Sequence, residues 1–359
     1  MAPRDIQIGV IGAGKFAQAV HLPCFQQQTG CRIAMIADRR PELARQVAAR
    51  FGIPRAGQEP SECAGAAEVQ GLFVSVFRLT QGPAVRDALR SGKPVFAEKP
   101  MAMTADRAAE LVDVAKVSKA PFMVGFMKRY DDGVQQARRL LGGELQEQLG
   151  EILFARVYCF SRDYEAEFPA VIRTDERSPA GQEVWATAPA WVPEARHQDY
   201  DWFVNRSMHQ VNLIRFLFGD DVSVRQANLA SREAGFVALE SPRHPILLEM
   251  GTPKLTAWRE GVEVFFRKGR LLLEVPSPLE RSFMGRVTVE YGETREIKEH
   301  PRRKGWCFSE QAGRFVDLVR GDVGANISSG EDSLRDYQLT ERIWRMELER
   351  ASSAAKAAG

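Results

Sequence analysis

The segment Ile6-Gln7-Ile8-Gly9-Val10-Ile11-Gly12-Ala13-Gly14-Lys15-Phe16-Ala17 constrains this chain more than any other. An apolar run of strand length ends in Gly-x-Gly-x-x-Ala and passes straight into a helix-forming stretch. Gly12 permits a tight turn, and Gly14 lets backbone approach a pyrophosphate. The small Ala17 lets helix and strand pack closely, while the helix start offers unpaired N–H groups. The same turn exposes Lys15 and Phe16 as further ligand contacts. A bare motif of this kind is weak, but Asp38 closes the next apolar run 24 residues after Gly14, and that placement is specific.

The first ~125 residues alternate apolar runs with helical patterns. Strands are predicted at Ile6–Ile11, Arg32–Ala37, Gly71–Phe77, Pro94–Ala97 and Phe122–Phe126. Helices are predicted at Lys15–Gln26, Pro41–Phe51, Pro83–Ser91 and Thr104–Ser118, the last with Thr104 as N-cap. Such alternation implies a doubly wound parallel sheet wrapped by right-handed crossovers. After the helical Asp132–Leu141 the pattern changes. Runs at Glu151–Phe160, Val222–Ser231, Ile246–Met250, Val262–Lys268 and Arg286–Tyr291 alternate apolar and charged residues, as antiparallel strands with one wet face do. Asn205–Phe218, Ser309–Arg320 and Glu331–Arg350 read as helices, with a frayed tail from Ala351. Two domains are expected, residues 1–127 and 128–359. The second is an α+β domain with an open, mostly antiparallel sheet. Asp163–Asp201, rich in Pro, Trp and charge, is too long for an ordinary loop and is expected to be a lid or binding segment.

With 49 Lys plus Arg against 47 Asp plus Glu, the net charge of +2 lacks the basic excess that nucleic-acid binding demands. Five scattered cysteines form no disulfide framework, and no spaced His/Cys/carboxylate set suggests a metal. No apolar stretch reaches membrane-spanning length, so the expectation is a cytoplasmic chain in a reducing compartment, with neither membrane nor nucleic acid as partner. A homodimer or homotetramer through the open sheet is expected.

Asp38 is suited to receive the adenosine ribose hydroxyls and to repel a 2′-phosphate, which favours NAD; Arg39 and Arg40 could instead receive that phosphate, so NADP stays open. Glu98-Lys99-Pro100 closes the fourth predicted strand, at the sheet edge where ligands bind. An ammonium there can hydrogen-bond a hydroxyl and lower the cost of alkoxide-like charge. Asn205-x-x-x-His209-x-x-Asn212 sets three polar side chains on one helical face, and His209 is the histidine best placed to act as a base. Trp185 and Trp202 could stack on a sugar face, or anchor the insert. Arg129 could clamp a phosphate or carboxylate, or form a structural ion pair.

IGAGKFAQAVHLP, Asp38, GKPVFAEKPMAMT, GFMKRYD and HQVNLIRFLFG, with FSEQAGRFVDLVRG and SSGEDSLRDYQLTERIW near the end, together resemble the glucose–fructose oxidoreductase / inositol dehydrogenase / MocA family over nearly the whole chain. The resemblance implies a Rossmann NAD(P) domain, a second domain for substrate and association, and closing helices that return toward the first. It implies an oxidoreductase acting on a secondary alcohol or ketone of a carbohydrate-like substrate, with Lys99 orienting the hydroxyl and His209 as acid/base. Asn205 stands where relatives usually carry Asp. Arg129, Asn212, Trp185 and Trp202 are then substrate candidates, while Gly12, Gly14, Lys15, Phe16, Ala17, Asp38, Arg39, Ser75, Phe77, Gln81, Glu98 and Lys99 face the cofactor. Two alternatives are redox-neutral chemistry on a retained cofactor and a catalytically silent cofactor-binding regulator.

Overall fold

Gln7 apart, every residue of β1 (Ile6–Ile11) is buried, as a strand covered by helices on both faces requires. The computed structural model describes residues 5–161 and 168–358. β1 lies inside a six-stranded parallel sheet with β2 (Cys31–Ala37), β3 (Arg55–Gly57), β4 (Gly71–Val74), β5 (Val95–Ala97) and β6 (Phe122–Val124). Their order is β3-β2-β1-β4-β5-β6. The strand order reverses between β1 and β4, which makes the carboxyl end of β1 the switch point where such sheets bind ligands.

Two helices of this sheet depart from the sequence expectation. Lys15–Gln26 is not one regular helix: Ala17–His21 form a wider π turn that leads into α1 (Leu22–Gln26). That turn ends on His21, which is fully buried, its ring 4.3 Å from that of Phe73 between centroids. After α2 (Pro41–Phe51) and α3 (Pro60–Gly65), α4 (Arg78–Leu89) starts five residues before the expected Pro83, which it carries inside. Proline donates no N–H, so the carbonyl of Leu79 is left without its helical partner. The Trp185 N–H fills that place at 3.0 Å, a contact no local pattern announces. α5 (Ala105–Ser118) is capped by Thr104 as expected, its hydroxyl accepting from the Arg107 N–H.

The remaining elements run α6 (Asp132–Arg139), α7 (Leu145–Leu149), β7 (Ile152–Phe160), α8 (His197–Phe218), β8 (Ser223–Asn228), β9 (Gly235–Glu240), β10 (Pro245–Gly251), β11 (Arg259–Phe266), β12 (Gly269–Glu274), β13 (Arg286–Tyr291), β14 (Glu296–Glu299), α9 (Cys307–Val319) and α10 (Gly330–Ala358). The strands form an eight-stranded sheet, β14-β13-β12-β11-β7-β10-β9-β8. Every neighbouring pair is antiparallel except β7 with β10. One face buries Ala155, Val157, Leu248, Val262, Val264 and Leu271. The other presents half-exposed charges such as Arg156, Glu263 and Arg270, linked in ion pairs, so the period-2 pattern read in the sequence marks two chemically distinct faces. α8 begins at His197, eight residues before the expected Asn205, and takes in Asp199–Val204. α10 continues to Ala358 where a frayed tail was expected.

The chain divides into two compact units. The first holds the described residues through Met127, Phe168–His197 and Phe308–Tyr337; the second holds those from Lys128 to Ser161, Gln198–Cys307 and the chain from Gln338 onward. In the first, Phe315 of α9 joins Phe25, Phe73 and Phe96 in an aromatic core, with the Phe73 and Phe96 rings 4.9 Å apart. Ser329 bridges Met123, so the outer edge of β6 does not stand open. In the second, Trp344 of α10 is buried against Tyr200 and Phe203 of α8. Among the described residues no helix is long and apolar enough to cross a membrane. Trp344→Ala should lower unfolding free energy by about 3–5 kcal/mol, the usual loss for an aromatic removed from a core. Urea titration followed by circular dichroism would measure it, and an unchanged midpoint would mean that these rings do not anchor α10.

Candidate functional site

The glycine turn is built as its spacing predicts. Gly12 has φ of +105°, and a Cβ there would stand 2.0 Å from the Ser75 carbonyl oxygen, so no other residue fits. A Cβ on Gly14 would meet nothing within 4 Å; the chain is open on that side, as close approach of a pyrophosphate requires. Ala17 is fully buried and lets the helix sit against the sheet. Around the turn opens a cleft of about 690 Å³, whose walls include Gly14, Lys15, Phe16, Asp38, Ser75 and Phe77. Arg39 and Arg40 also line it.

Asp38 does two jobs. One carboxylate oxygen accepts from the Ala13 N–H at 2.8 Å, tying the end of β2 to the turn. Arg40 grips both oxygens, Nε on Oδ1 and Nη2 on Oδ2, each at 2.8 Å, and its backbone N–H adds a fourth bond at 3.0 Å. Four donors fill the acceptor capacity of a carboxylate. Arg39 points instead to Glu59, 3.4 Å away.

A third wall comes from the insert. Its residues before Phe168 lie outside the described ones; Phe168–His197 belongs to the first unit and lines the cleft as a strap. Phe168 packs on Phe16 and under the Lys15 ammonium. Gln18 clasps Ile172 through both its amide oxygen and nitrogen while also donating to the Ala13 carbonyl. Glu176 accepts from the Glu42 and Leu43 N–H groups at 3.0 and 2.9 Å. Ser178, Gly181, Gln182 and Glu183 line the cleft itself. Arg86 holds Glu183 with two bonds of 2.8 and 2.7 Å, and with the Trp185 indole N–H this pulls the Glu183 carboxyl down to about 2. Trp185 is therefore an anchor: it is buried, and a Cβ on Gly82 would strike its ring at 2.1 Å.

Behind the cleft, Glu98 and Gln81 bond other parts of the protein. Glu98 accepts from the Lys99 N–H at 2.9 Å and bonds the buried His21 ring at 2.7 Å. Gln81 accepts from the Val76 N–H and donates to the carbonyls of Val74 and Glu98, stitching the ends of β4 and β5 together. Neither side chain lines the cleft. Both hold in place the strand end that carries the half-buried Lys99.

In the second unit, Trp202, Asn205, Arg206 and His209 are the partly accessible positions of the middle of α8, with buried residues between them. Their i, i+3, i+4, i+7 spacing puts them on one helical face. Trp202 and Arg206, with Ser161 and Lys254, line a pocket of about 380 Å³. Asn212 and Arg129 are not on that surface. Both are buried, joined by a 2.9 Å bond from Arg129 Nε, and the Arg129 guanidinium lies over the Phe216 ring. Lys128 and Tyr130 are buried as well; all three lie in a tight turn, Met127–Tyr130, rather than at a strand end facing a cleft. Lys128 pairs with Glu260, which also accepts from Gln210 and Trp258. Sequence reasoning expected a lid or binding segment in the insert but missed where it lands, the Arg40 grip on Asp38 and His21. Only the Pro- and Trp-rich composition of the insert signalled that it binds something.

Residues 6–126 match the model of a family, GFO_IDH_MocA, described as an oxidoreductase family with an NAD-binding Rossmann fold. An inositol 2-dehydrogenase of Burkholderia vietnamiensis is 35% identical over 144 residues, 39% of this chain and 42% of that protein. One of Pseudomonas fluorescens is 28% identical over 252 residues, 67% of this chain and 65% of the relative. The chain thus spans about two fifths of the first relative's length. Among solved structures, a 3-ketoreductase from Actinomadura kijaniata, in complex with NADP and TDP-benzene, superposes with a TM-score of 0.71 at 19% identity, covering 95% of this chain and 98% of that one. A putative myo-inositol dehydrogenase from Sinorhizobium meliloti gives 0.69 at 19% identity, covering 96% and 98%. These structures share the fold across both units. With the glycine turn, Asp38 and the strand order in agreement with that match, residues 6–126 form the NAD-binding Rossmann domain of the Gfo/Idh/MocA oxidoreductase family.

Proposed function

We propose that this protein is an NAD-dependent oxidoreductase that interconverts a secondary alcohol and a ketone on a sugar, glycoside, nucleotide sugar or cyclitol. The observation that carries the reading is the cleft at the switch point of the first sheet, with Gly14 open to it, Asp38 at its adenosine end and Lys99 at the end of β5. The nicotinamide, when bound, supplies the hydride chemistry. Lys99 orients the substrate hydroxyl and offsets the negative charge that grows on its oxygen. His209 takes up or returns the hydroxyl proton, with Asn205, one turn earlier on the same face of α8, to hold the imidazole or a neighbouring hydroxyl. Trp202 offers an aromatic face for a sugar ring and Arg206 a charged hydrogen-bond donor beside it. The names of the relatives, inositol 2-dehydrogenase and 3-ketoreductase, support a polyol substrate.

The strap favours a second reading within the same chemistry. A cleft closed by anchors at Gln18, Arg86 and Gly82 suits a cofactor kept through successive turnovers, as redox-neutral sugar chemistry needs. Association through the charged, half-exposed face of the large sheet, as homodimer or homotetramer, belongs to the proposal too. Light scattering at micromolar concentration should report more than one chain per particle; a monomer would remove that element.

Mass spectrometry of small molecules released on denaturation, then titration with NAD and NADP, is the direct test of the cleft. Asp38→Asn, which loosens the bonds holding the Ala13 N–H and the Arg40 guanidinium at the adenosine end, should weaken NAD binding about 10–100-fold. Undiminished affinity would place the ribose elsewhere. Turnover is then followed at 340 nm with sugars, cyclitols and glycosides. Lys99→Ala and His209→Ala should each lower kcat by about 10²–10⁴-fold while NAD affinity is unchanged. Unchanged turnover in both variants would remove Lys99 and His209 from the chemistry, and NAD binding without turnover on any substrate would favour the silent regulator.

A further inference from the structure

α2 opens at Pro41, directly after Asp38, Arg39 and Arg40, and its own N-cap residue, Arg40, supplies no side-chain cap. The exposed first-turn N–H groups of such a helix are an anion site. Here they are filled from far along the chain: each oxygen of Glu176, in the strap, accepts one of them. Thr174 adds a hydroxyl bond to the same carboxylate at 3.2 Å. Asp38, the residue expected to repel a 2′-phosphate, is gripped by Arg40 on both oxygens, so its charge is largely compensated. Arg39 and Arg40 line the cleft beside it. On these residues alone the adenosine end would accept a phosphate readily.

We propose that Glu176 is the residue that sets cofactor specificity: its carboxylate occupies the α2 amides and arginine-flanked corner that a 2′-phosphate would otherwise take, and so selects NAD over NADP. The inference rests on the oxidoreductase reading. A 2′-phosphate brings about −1.5 to −2 charges at neutral pH, and it can enter this corner only by expelling Glu176 or lying against it. NAD, whose ribose carries hydroxyls alone, meets neither obstacle. A strap carboxylate therefore does the work usually assigned to the acidic residue at the end of β2.

Isothermal titration of the full chain with NAD and with NADP, for wild type, Glu176→Ala and Glu176→Gln, tests this. Wild type should bind NAD more tightly than NADP. Glu176→Ala should gain about tenfold or more in NADP affinity, as the freed N–H groups and Arg39 and Arg40 form charge-assisted bonds with the phosphate, with NAD affinity unchanged. Glu176→Gln, which removes the charge but keeps an acceptor oxygen, should gain less. NADP affinity unmoved in both variants, or lost together with NAD affinity, would reduce Glu176 to a strap anchor and overturn the proposal. Wild type that prefers NADP overturns it as well. Wild type that binds neither dinucleotide would instead remove the oxidoreductase reading, and this inference with it.

Discussion

The nucleotide half of this molecule depends on one missing atom. A Cβ at Gly12 would sit inside contact distance of the Ser75 carbonyl, so the approach of β1 to the end of β4 exists only because that position is glycine. The consequences spread by hydrogen bonds. Ala13 donates to Asp38, which fixes the end of β2 against the turn; its carbonyl accepts from Gln18; and Gln18 clasps the strap at Ile172. A single buried amide side chain thus links the glycine turn to the segment that lines the cleft beside it. Such a network is satisfied only as a whole, since a buried polar group left without its partner costs about 1–3 kcal/mol.

The second unit solves a different problem with similar means. α8 must present Trp202, Asn205, Arg206 and His209 on one face while its other faces are buried, and it carries polar residues on both. Gln210 and Asn212 face inward, and each is matched: Gln210 to Glu260, Asn212 to Arg129. Glu260 accepts from Lys128, Gln210 and Trp258 together, so the charge taken out of water stays surrounded by donors. A buried cluster of this kind fixes the rotation of α8 about its axis, and with it the direction in which His209 projects.

Much of this was legible in the chain. The glycine turn with Asp38, the strand-helix alternation, the change to antiparallel strands and the polar stripe around His209 are local patterns, and local patterns report local geometry. What escaped was set by distance. α4 begins at Arg78 because a strap residue more than 100 positions later supplies the hydrogen bond that Pro83 removes. The bonds of Gln81 and Glu98 to backbone at the ends of β4 and β5 have no local signal either. Arg129 and Asn212 are buried and bond each other. The insert announced itself by composition, but no residue in it names the unit on which it lands. The π turn at Ala17–His21 leaves a helical pattern in the sequence, because a single wide turn shifts the face without changing the residue types.

The strap also gives the nucleotide unit an unusual relation to time. Its sheet is complete by Val124, yet one wall of its cleft lies at Phe168–His197, and α9 and the residues that guard β6 arrive only with Phe308–Tyr337. Between these pieces the ribosome must make most of another unit. A chain of this design cannot finish its first domain first, as vectorial synthesis usually allows. Until Tyr337 has emerged, the Phe25, Phe73 and Phe96 rings lack Phe315 and the edge of β6 lacks its cover. The emerging chain spends most of its synthesis with that apolar surface and strand edge open to other proteins, a long interval in which binding by a chaperone would protect it.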